Sequence, residues 1–157
     1  MAIRRASLND IPFIKECLID SWVEHAKNHP ELMTEERMRN SKVEDYYSDA
    51  IKNNKGFTFI VETEGKKTGL VRVYQDKVAN FFKDPDILYI DDIYVVKKFR
   101  RKGVAKLLLK EVEKIAKQLG IKRIDARVYT FNKPTQKLLE SMGFKPPHST
   151  WTKIINS

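Results

Sequence analysis

The chain has a single cysteine, Cys17, among 157 residues. One thiol closes no internal disulfide, so a cystine-stapled scaffold is excluded, and the place of Cys17 on an apolar helical stripe makes it a small core residue and not a nucleophile. No apolar run approaches the ~20 residues of a membrane helix, and Met1 to Ser7 lacks the apolar stretch of a signal peptide. A soluble, cytoplasmic chain with no membrane partner is the expectation. Histidine is scarce, at three. His25 and His29 are four apart, but no glutamate follows His25 as a zinc-hydrolase helix requires, so no metal is expected. Acid is in deficit, 21 Asp and Glu against 30 Lys and Arg, for a net charge of +9. Such a balance attracts anions, nucleic acid first among them. Here the basic residues are spread along the chain without a recognition helix or an aromatic RNA-binding motif, which disfavours a nucleic-acid partner. One local cluster, Lys97, Lys98, Arg100, Arg101 and Lys102, suits a compact polyanion.

Hydrophobic residues make up 41% of the chain, enough for one domain over 1–157 that buries roughly two thirds of its unfolded surface. Residues 2–6 suit a first strand. Ser7-Leu8-Asn9-Asp10 has the form of a capping box, and the helix after it has Ile14, Cys17, Leu18, Trp22 and His25 on one face and ends at His29-Pro30. Thr34-Glu35-Glu36 opens a second helix, with Met38, Tyr46, Tyr47, Ala50 and Ile51 as its apolar side, that stops at residues 53–56. Residues 57–63 and 68–75 read as a hairpin around Glu64-Gly65-Lys66-Lys67, followed by a loop over 76–86 anchored by Phe81 and Phe82. A long strand over 87–96 leads into a helix over 103–119, marked by Val104, Leu107, Leu108, Val112 and Ile115 and closed by Gly120. Alternation gives a strand over 123–129, Asn132 and Pro134 begin a shorter helix that Met142-Gly143-Phe144 closes, and 150–155 supplies a last strand. The order β, α, α, β, β, β, α, β, α, β implies a mixed sheet, antiparallel at first and parallel around the third helix.

The turn between the long strand and the third helix carries the chemistry. Arg100, Gly103 and Ala105 have the spacing Arg-x-x-Gly-x-Ala, where a glycine-bearing basic turn offers unpaired N–H groups and the positive end of a helix dipole to a pyrophosphate. With Ile93-Tyr94-Val95 before it, Arg123 to Tyr129 after the helix, and Asn132 leading to Glu140-Ser141-Met142-Gly143-Phe144, the ordered set resembles the GNAT acetyltransferases. The resemblance is carried by 87–145 and, in the amino-terminal half, by element order. It implies an α/β, GNAT-like mixed antiparallel/parallel twisted sheet of six to seven strands flanked by about four helices, with acetyl-CoA as co-substrate. It further implies that backbone groups of Ile93, Tyr94 and Val95 bind the pantetheine arm as an added strand. Arg100, Arg101, Lys102, Gly103, Val104, Ala105 and Lys106 would hold the pyrophosphate, and Asn132 and Lys137 would contact the arm or the phosphates.

Attack of an amine on a thioester needs a base for the ammonium proton and a donor for the oxyanion. Asp91 and Asp92 are the catalytic candidates. The run Asp91-Asp92-Ile93-Tyr94-Val95 is similar to the Glu-Asp-Ile-Tyr-Val of spermidine/spermine acetyltransferases, and that analogy favours Asp91, with Asp92 the alternative. Neighbouring strand residues face opposite sides, so only one should reach the acceptor unless a bulge intervenes. The pattern departs from the family at Leu139, where a tyrosine acid is common, and at Lys97 and Arg101, which replace a proline and a glycine. The reading is an N-acetyltransferase acting on a small-molecule or peptide primary amine, polyamines included. A non-catalytic acyl-CoA-binding module is the alternative, and a homodimer is compatible with the family.

Overall fold

A computed structural model describes residues 1–155. Strand β1 (Ala2–Arg5) is followed by a short 3-10 turn and helix α1 (Ile11–Asn28), then by helices α2 (Glu35–Arg39) and α3 (Val43–Lys52). Strands β2 (Phe57–Thr63), β3 (Lys66–Lys77) and β4 (Asp86–Val95) precede helix α4 (Val104–Gln118), strand β5 (Arg123–Ala126) and helix α5 (Lys133–Ser141). The sheet order is β1-β2-β3-β4-β5. The first three pairings are antiparallel and β4–β5 is parallel, so the mixed α/β sheet is as the sequence implies. Among the described residues it has five strands, fewer than six to seven, because 150–155 takes no strand conformation.

The apolar pattern divides into two layers. Val71, Val73, Leu88 and Ile90 pack with Val104, Leu108, Val112 and Ile115 of α4 on one face. Ile60, Leu70 and Tyr94 pack with Ile14, Leu18, Val43 and Tyr47 of α1 and α3 on the other. At Gly69 a Cβ would stand 2.8 Å from Val104 Cγ1 and 3.0 Å from Tyr94 O. Only glycine lets the start of α4 approach β3 this closely. Buried Asp10 joins three elements, accepting from Arg4 Nη1 and Nη2 and the Ser7 N–H and pairing with Lys67 Nζ at 2.8 Å. The Arg4 guanidinium holds the Asp10 carboxyl far below the ordinary carboxylate range.

Two local expectations are corrected. The second helix divides at Asn40–Lys42, where Ser41 Oγ donates to the Arg37 carbonyl (3.0 Å) and competes with the helical ladder. The β3–β4 loop is not anchored by both phenylalanines: Phe81 is 81% exposed, and Phe82 carries the Arg123 guanidinium 4.9 Å from its ring centroid. Among the described residues no helix is long and apolar enough to cross a membrane.

Candidate active site

The β3–β4 register shifts between Arg72 and Val73. Asp92 lies opposite Arg72 and Ile90 opposite Val73, so Asp91 is the extra residue of a bulge. The consequence is a change of parity along β4. Leu88 and Ile90 face α4, and beyond the bulge Ile93 and Val95 do so. Asp91 and Asp92 are therefore both turned toward α1 and α3. Tyr46 Oη donates to Asp91 Oδ2 at 2.6 Å, and Tyr47 Oη to Asp92 Oδ2 at 2.6 Å. One-residue spacing, which places neighbours on opposite faces of a regular strand, here places two carboxylates on one.

Their environments differ. Arg72 is 4% exposed and its Nε lies 3.3 Å from Asp91 Oδ2, while its Nη1 donates to the Lys55 carbonyl at 2.8 Å. The guanidinium also lies 5.0 Å from the Tyr46 ring centroid and 5.8 Å from that of Tyr74, contacts that compensate a buried cation. Asp92 forms no ion pair among the described residues, and the Arg72 charge lowers its carboxyl less than the hydrogen bonds from Tyr47 and Trp22 do. Burial pushes its carboxyl up to about 6, the Tyr47 hydroxyl pulls it down, and the Asp91 charge pushes it up again. Tyr47 itself is fully buried, and burial raises its phenol well above the ordinary value.

Next to these carboxylates β4 loses its neighbour. Pairing with β5 runs from Ile87–Arg123 to Ile90–Ala126 and stops, because the strand expected over 123–129 ends at Ala126. The Val96 N–H donates to the Thr68 carbonyl at 2.9 Å, which makes Val95–Gly69 a non-hydrogen-bonded pair of the antiparallel ladder. Main-chain groups of Val95, and of Ile93 two residues back, thus point away from β3 toward the open side. Those of Tyr94 point to β3. The Tyr94 side chain passes to the α1 face, where its hydroxyl donates to Asp20 Oδ2. Of the three expected backbone ligands, Ile93 and Val95 have the orientation for an added strand. The Val95 carbonyl already accepts from Arg100 Nε at 3.0 Å.

A 3-10 turn over Lys97–Phe99 leads to the basic loop. Arg101 has φ +61 and Gly103 φ +85, and α4 begins at Val104 without a side-chain cap. The Leu107 N–H donates to the Gly103 carbonyl at 3.0 Å, so the amides of Val104, Ala105 and Lys106 precede the first i to i−4 bond of the helix. Around this uncapped end Arg100, Arg101, Lys102 and Lys106 are exposed, while the Val104 side chain is in the core. This is a ready anion cradle. Asn132 Oδ1 accepts from the Thr135 N–H (3.3 Å) as the cap of α5, and Lys137 is on that helix's exposed side. Asn132 is thus committed first to its own helix. An arginine in the left-handed region carries strain that glycine does not. Arg101→Gly is expected to stabilise the fold by ~1 kcal/mol in thermal unfolding, while removing a charge and thus flattening the salt dependence of polyanion binding in titration calorimetry.

Sequence reasoning did not find Arg72, Tyr74 or Asp20. A lone charged residue between Val71 and Val73 in a buried strand was the available signal for Arg72. Tyr46 and Tyr47, read from the sequence only as part of the apolar side of a helix, hold the two carboxylates. His25 and His29 pack on Tyr129 and Phe131 at 5.1–5.5 Å between ring centroids. Among the described residues no group of His, Cys, Asp and Glu is arranged to hold a metal. Leu139 is 9% exposed within the α4-side core.

The Acetyltransferase (GNAT) family model matches residues 17–144. A putative phosphinothricin acetyltransferase of Bacillus subtilis is 44% identical over 52 residues, 33% of this chain and 32% of that protein. The L-ornithine N5-acetyltransferase NATA1 of Arabidopsis thaliana is 42% identical over 55 residues, 35% of this chain and 24% of that protein. The matches therefore span no more than a third of these relatives' length. A mutant of the BH1408 protein from Bacillus halodurans superposes with TM-score 0.84 at 18% identity, covering 99% of this chain and 100% of that one. A Clostridium acetobutylicum structure described as a predicted acetyltransferase with acetyl-CoA gives TM-score 0.69 at 16% identity, over 98% and 95% of the two chains.

Proposed function

Because the chain belongs to the acetyltransferase (GNAT) family, we propose that it is a cytoplasmic, acetyl-CoA-dependent N-acetyltransferase that acts on a primary amine by direct attack in a ternary complex. The observation that carries this reading is the β4 bulge. It sets a carboxylate whose pKa is pushed up to about 6 beside the stretch of β4 that pairs with β3 on one side and with no strand on the other. A base of that strength is mostly ionised at neutral pH yet holds a proton better than an ordinary carboxylate.

In this reading Asp92 takes the proton from the acceptor's ammonium, directly or through one water, and the electrostatics reverse the analogy that favoured Asp91. Asp91, neutralised in part by Arg72, orients the cationic group with Tyr46. The Val95 N–H, on the open side of β4, donates to the oxygen that gains charge as the amine attacks. Arg100 to Lys106 hold the pyrophosphate on the uncapped end of α4. Lys137 and the free amide of Asn132 contact it from α5. The relatives named for phosphinothricin and L-ornithine support a small amine carrying further polar groups as the acceptor class, with polyamines and protein amino groups beside it.

Leu139 favours one other reading, a non-catalytic acyl-CoA-binding module, since the α5 position common for an acid is filled by a core leucine. However, a thiol of pKa about 8.5 leaves as thiolate near neutral pH with modest help, so the acid is dispensable. The deciding measurement is free-thiol release from acetyl-CoA with a panel of amino acids, polyamines, aminoglycosides and peptides. Turnover with at least one amine is expected; acetyl-CoA binding without turnover across the panel gives the binding module.

Tyr47 supplies a second check. Asp92 must be ionised to accept a proton, so kcat/KM should rise with pH through about 6. The Tyr47 hydroxyl stabilises the carboxylate. Tyr47→Phe is thus expected to move the acidic limb of the pH profile upward, and an unmoved limb would remove Asp92 from the role of base.

A further inference from the structure

The sheet face that carries Asp91 and Asp92 is covered only in part. Helices α1 and α3 lie over Ile60, Leu70 and Tyr94, and at the far end the Arg123 guanidinium is stacked on Phe82 of the β3–β4 loop. Between these covers Tyr74 and Tyr89 pair across the strands as a half-buried floor, their ring centroids 5.4 Å apart. Asp125 shares the face, because Ile124, Ala126 and Val128 pack on the α4 side and the residues between them alternate away from it. The alternation outlasts the strand. Tyr129 packs on His25 and His29 of α1, so Arg127, halfway between Asp125 and Tyr129, belongs to the face of the two carboxylates.

Register sets it beside the bulge. Ile90 pairs with Ala126 in the parallel ladder, so the next step brings Arg127 alongside Asp91 as the two strands open from their ordinary spacing of ~4.8 Å. The charges around it already have partners within the chain. Asp125 accepts from Arg123 Nε and Nη2 at 2.8 Å, Asp91 pairs with Arg72, and Asp92 accepts from Tyr47. Arg127 is exposed and has no ion pair among the described residues. Burial raises the Tyr89 phenol, the Arg127 charge lowers it, and the charges of Asp91, Asp125 and Asp92 raise it. One hydroxyl on the floor thus feels all four charges.

We infer that Arg127 is a specificity-determining residue that takes a carboxylate of the acceptor, so that the substrate is an amino acid lying across the tyrosine floor with its ammonium at Asp91 and Asp92. The assignment rests on the proposed acetyl transfer at the bulge and narrows its acceptor class. An arginine fork meets a carboxylate in two parallel hydrogen bonds, and strands one spacing apart suit an amine and a carboxylate separated by a few bonds. Polycations are disfavoured twice, by a guanidinium beside the base and by the net charge of +9.

The test measures free-thiol release from acetyl-CoA with a panel of L-amino acids and with the carboxamide of each, which keeps the amine and loses the negative charge. Arg127→Gln is expected to lower the acid-to-amide ratio of kcat/KM by ~10–100-fold, mainly through KM of the acid, the value of a charge-assisted pair. The different basicity of the two amines is common to every variant, so the change in ratio isolates Arg127. Arg127→Lys should keep part of the preference, having the charge without the fork. Arg123→Gln removes the same charge from the same strand and should leave the ratio at its wild-type value. A ratio that Arg127→Gln does not move overturns the proposal and leaves the acetyltransferase standing, as does turnover confined to amines without a carboxylate. Titration calorimetry of the amino acids onto the CoA-saturated protein covers the remaining case. If no amine is turned over, acid binding that Arg127→Gln weakens ~10-fold upholds the carboxylate site while the acetyl-transfer reading fails, and absence of acid binding overturns both.

Discussion

Asp92→Asn is expected to remove most of the turnover and at the same time to make the protein more stable. The two effects have one origin. Burial raises the Asp92 carboxyl from 3.8 to about 6, so between those values the folded chain binds a proton more tightly than the unfolded one. Stability contributed by this group is complete at low pH and falls as pH rises through that window; above pH 6 the full cost of holding the carboxylate is present. Two pKa units correspond to on the order of 2–3 kcal/mol, less what solvent screening at a partly exposed site removes. Asparagine carries no charge, and its Oδ1 still accepts from Tyr47. Melting at neutral pH should therefore shift upward, while kcat/KM falls by ~10²–10⁴ for loss of a general base. Asp91→Asn should do the reverse in stability, because it strips the buried Arg72 of its carboxylate and leaves a cation short of a partner, which costs ~1–3 kcal/mol. Acetyl-CoA affinity should be unchanged in Asp92→Asn. If that variant retains its rate and Asp91→Asn loses it, the base is Asp91 and the analogy was the better guide.

What separates the two aspartates was partly legible. Leu88 and Ile90 carry the apolar pattern on even positions, and Ile93 and Val95 carry it on odd ones, which is the signature of one inserted residue. It was masked because Ile87 and Tyr89 are also apolar. The strand is covered on both faces, and a run apolar on both sides shows no parity to lose. The α4 helix and its turn were legible because periodicity, a positive-φ glycine and Gly120 agree locally. Long-range matters were not. Nothing near Tyr46 or Tyr47 in sequence announces hydrogen bonds to residues 45 positions away. The opposite error occurred at 150–155, where propensity predicted a strand and the chain provides no neighbour for it. A strand is a property of a pair, and a sequence shows one member at a time.

Gly103→Val is expected to weaken acetyl-CoA binding by ~10²-fold in titration calorimetry, the equivalent of one or two charge-assisted hydrogen bonds at ~1.5–3 kcal/mol each. The argument is conformational and not steric. At Gly103 φ is +85, and a Cβ there would meet nothing nearer than Met1 Cε at 3.8 Å. A Cβ is therefore free of clashes there, yet valine is disfavoured in the left-handed region by ~1–3 kcal/mol. The chain relieves that strain by turning the peptide at the start of α4, and with it the amides of Val104, Ala105 and Lys106 that form the cradle. Strain alone would also lower global stability, so a control is needed. Gly120 has φ +69 and open space around its Cβ, and Gly120→Val places the same strain at the far end of the same helix. Both variants should melt earlier, and only Gly103→Val should lose affinity. Gly103→Asn, whose side chain tolerates the left-handed region, should fall between. Wild-type affinity in Gly103→Val would mean that the pyrophosphate is held by the flexible side chains of Arg100, Arg101 and Lys102 and not by the backbone. In that event raising the salt concentration should abolish binding in the wild type, because exposed cations are screened within about 8–10 Å while backbone amides at a helix end are directional.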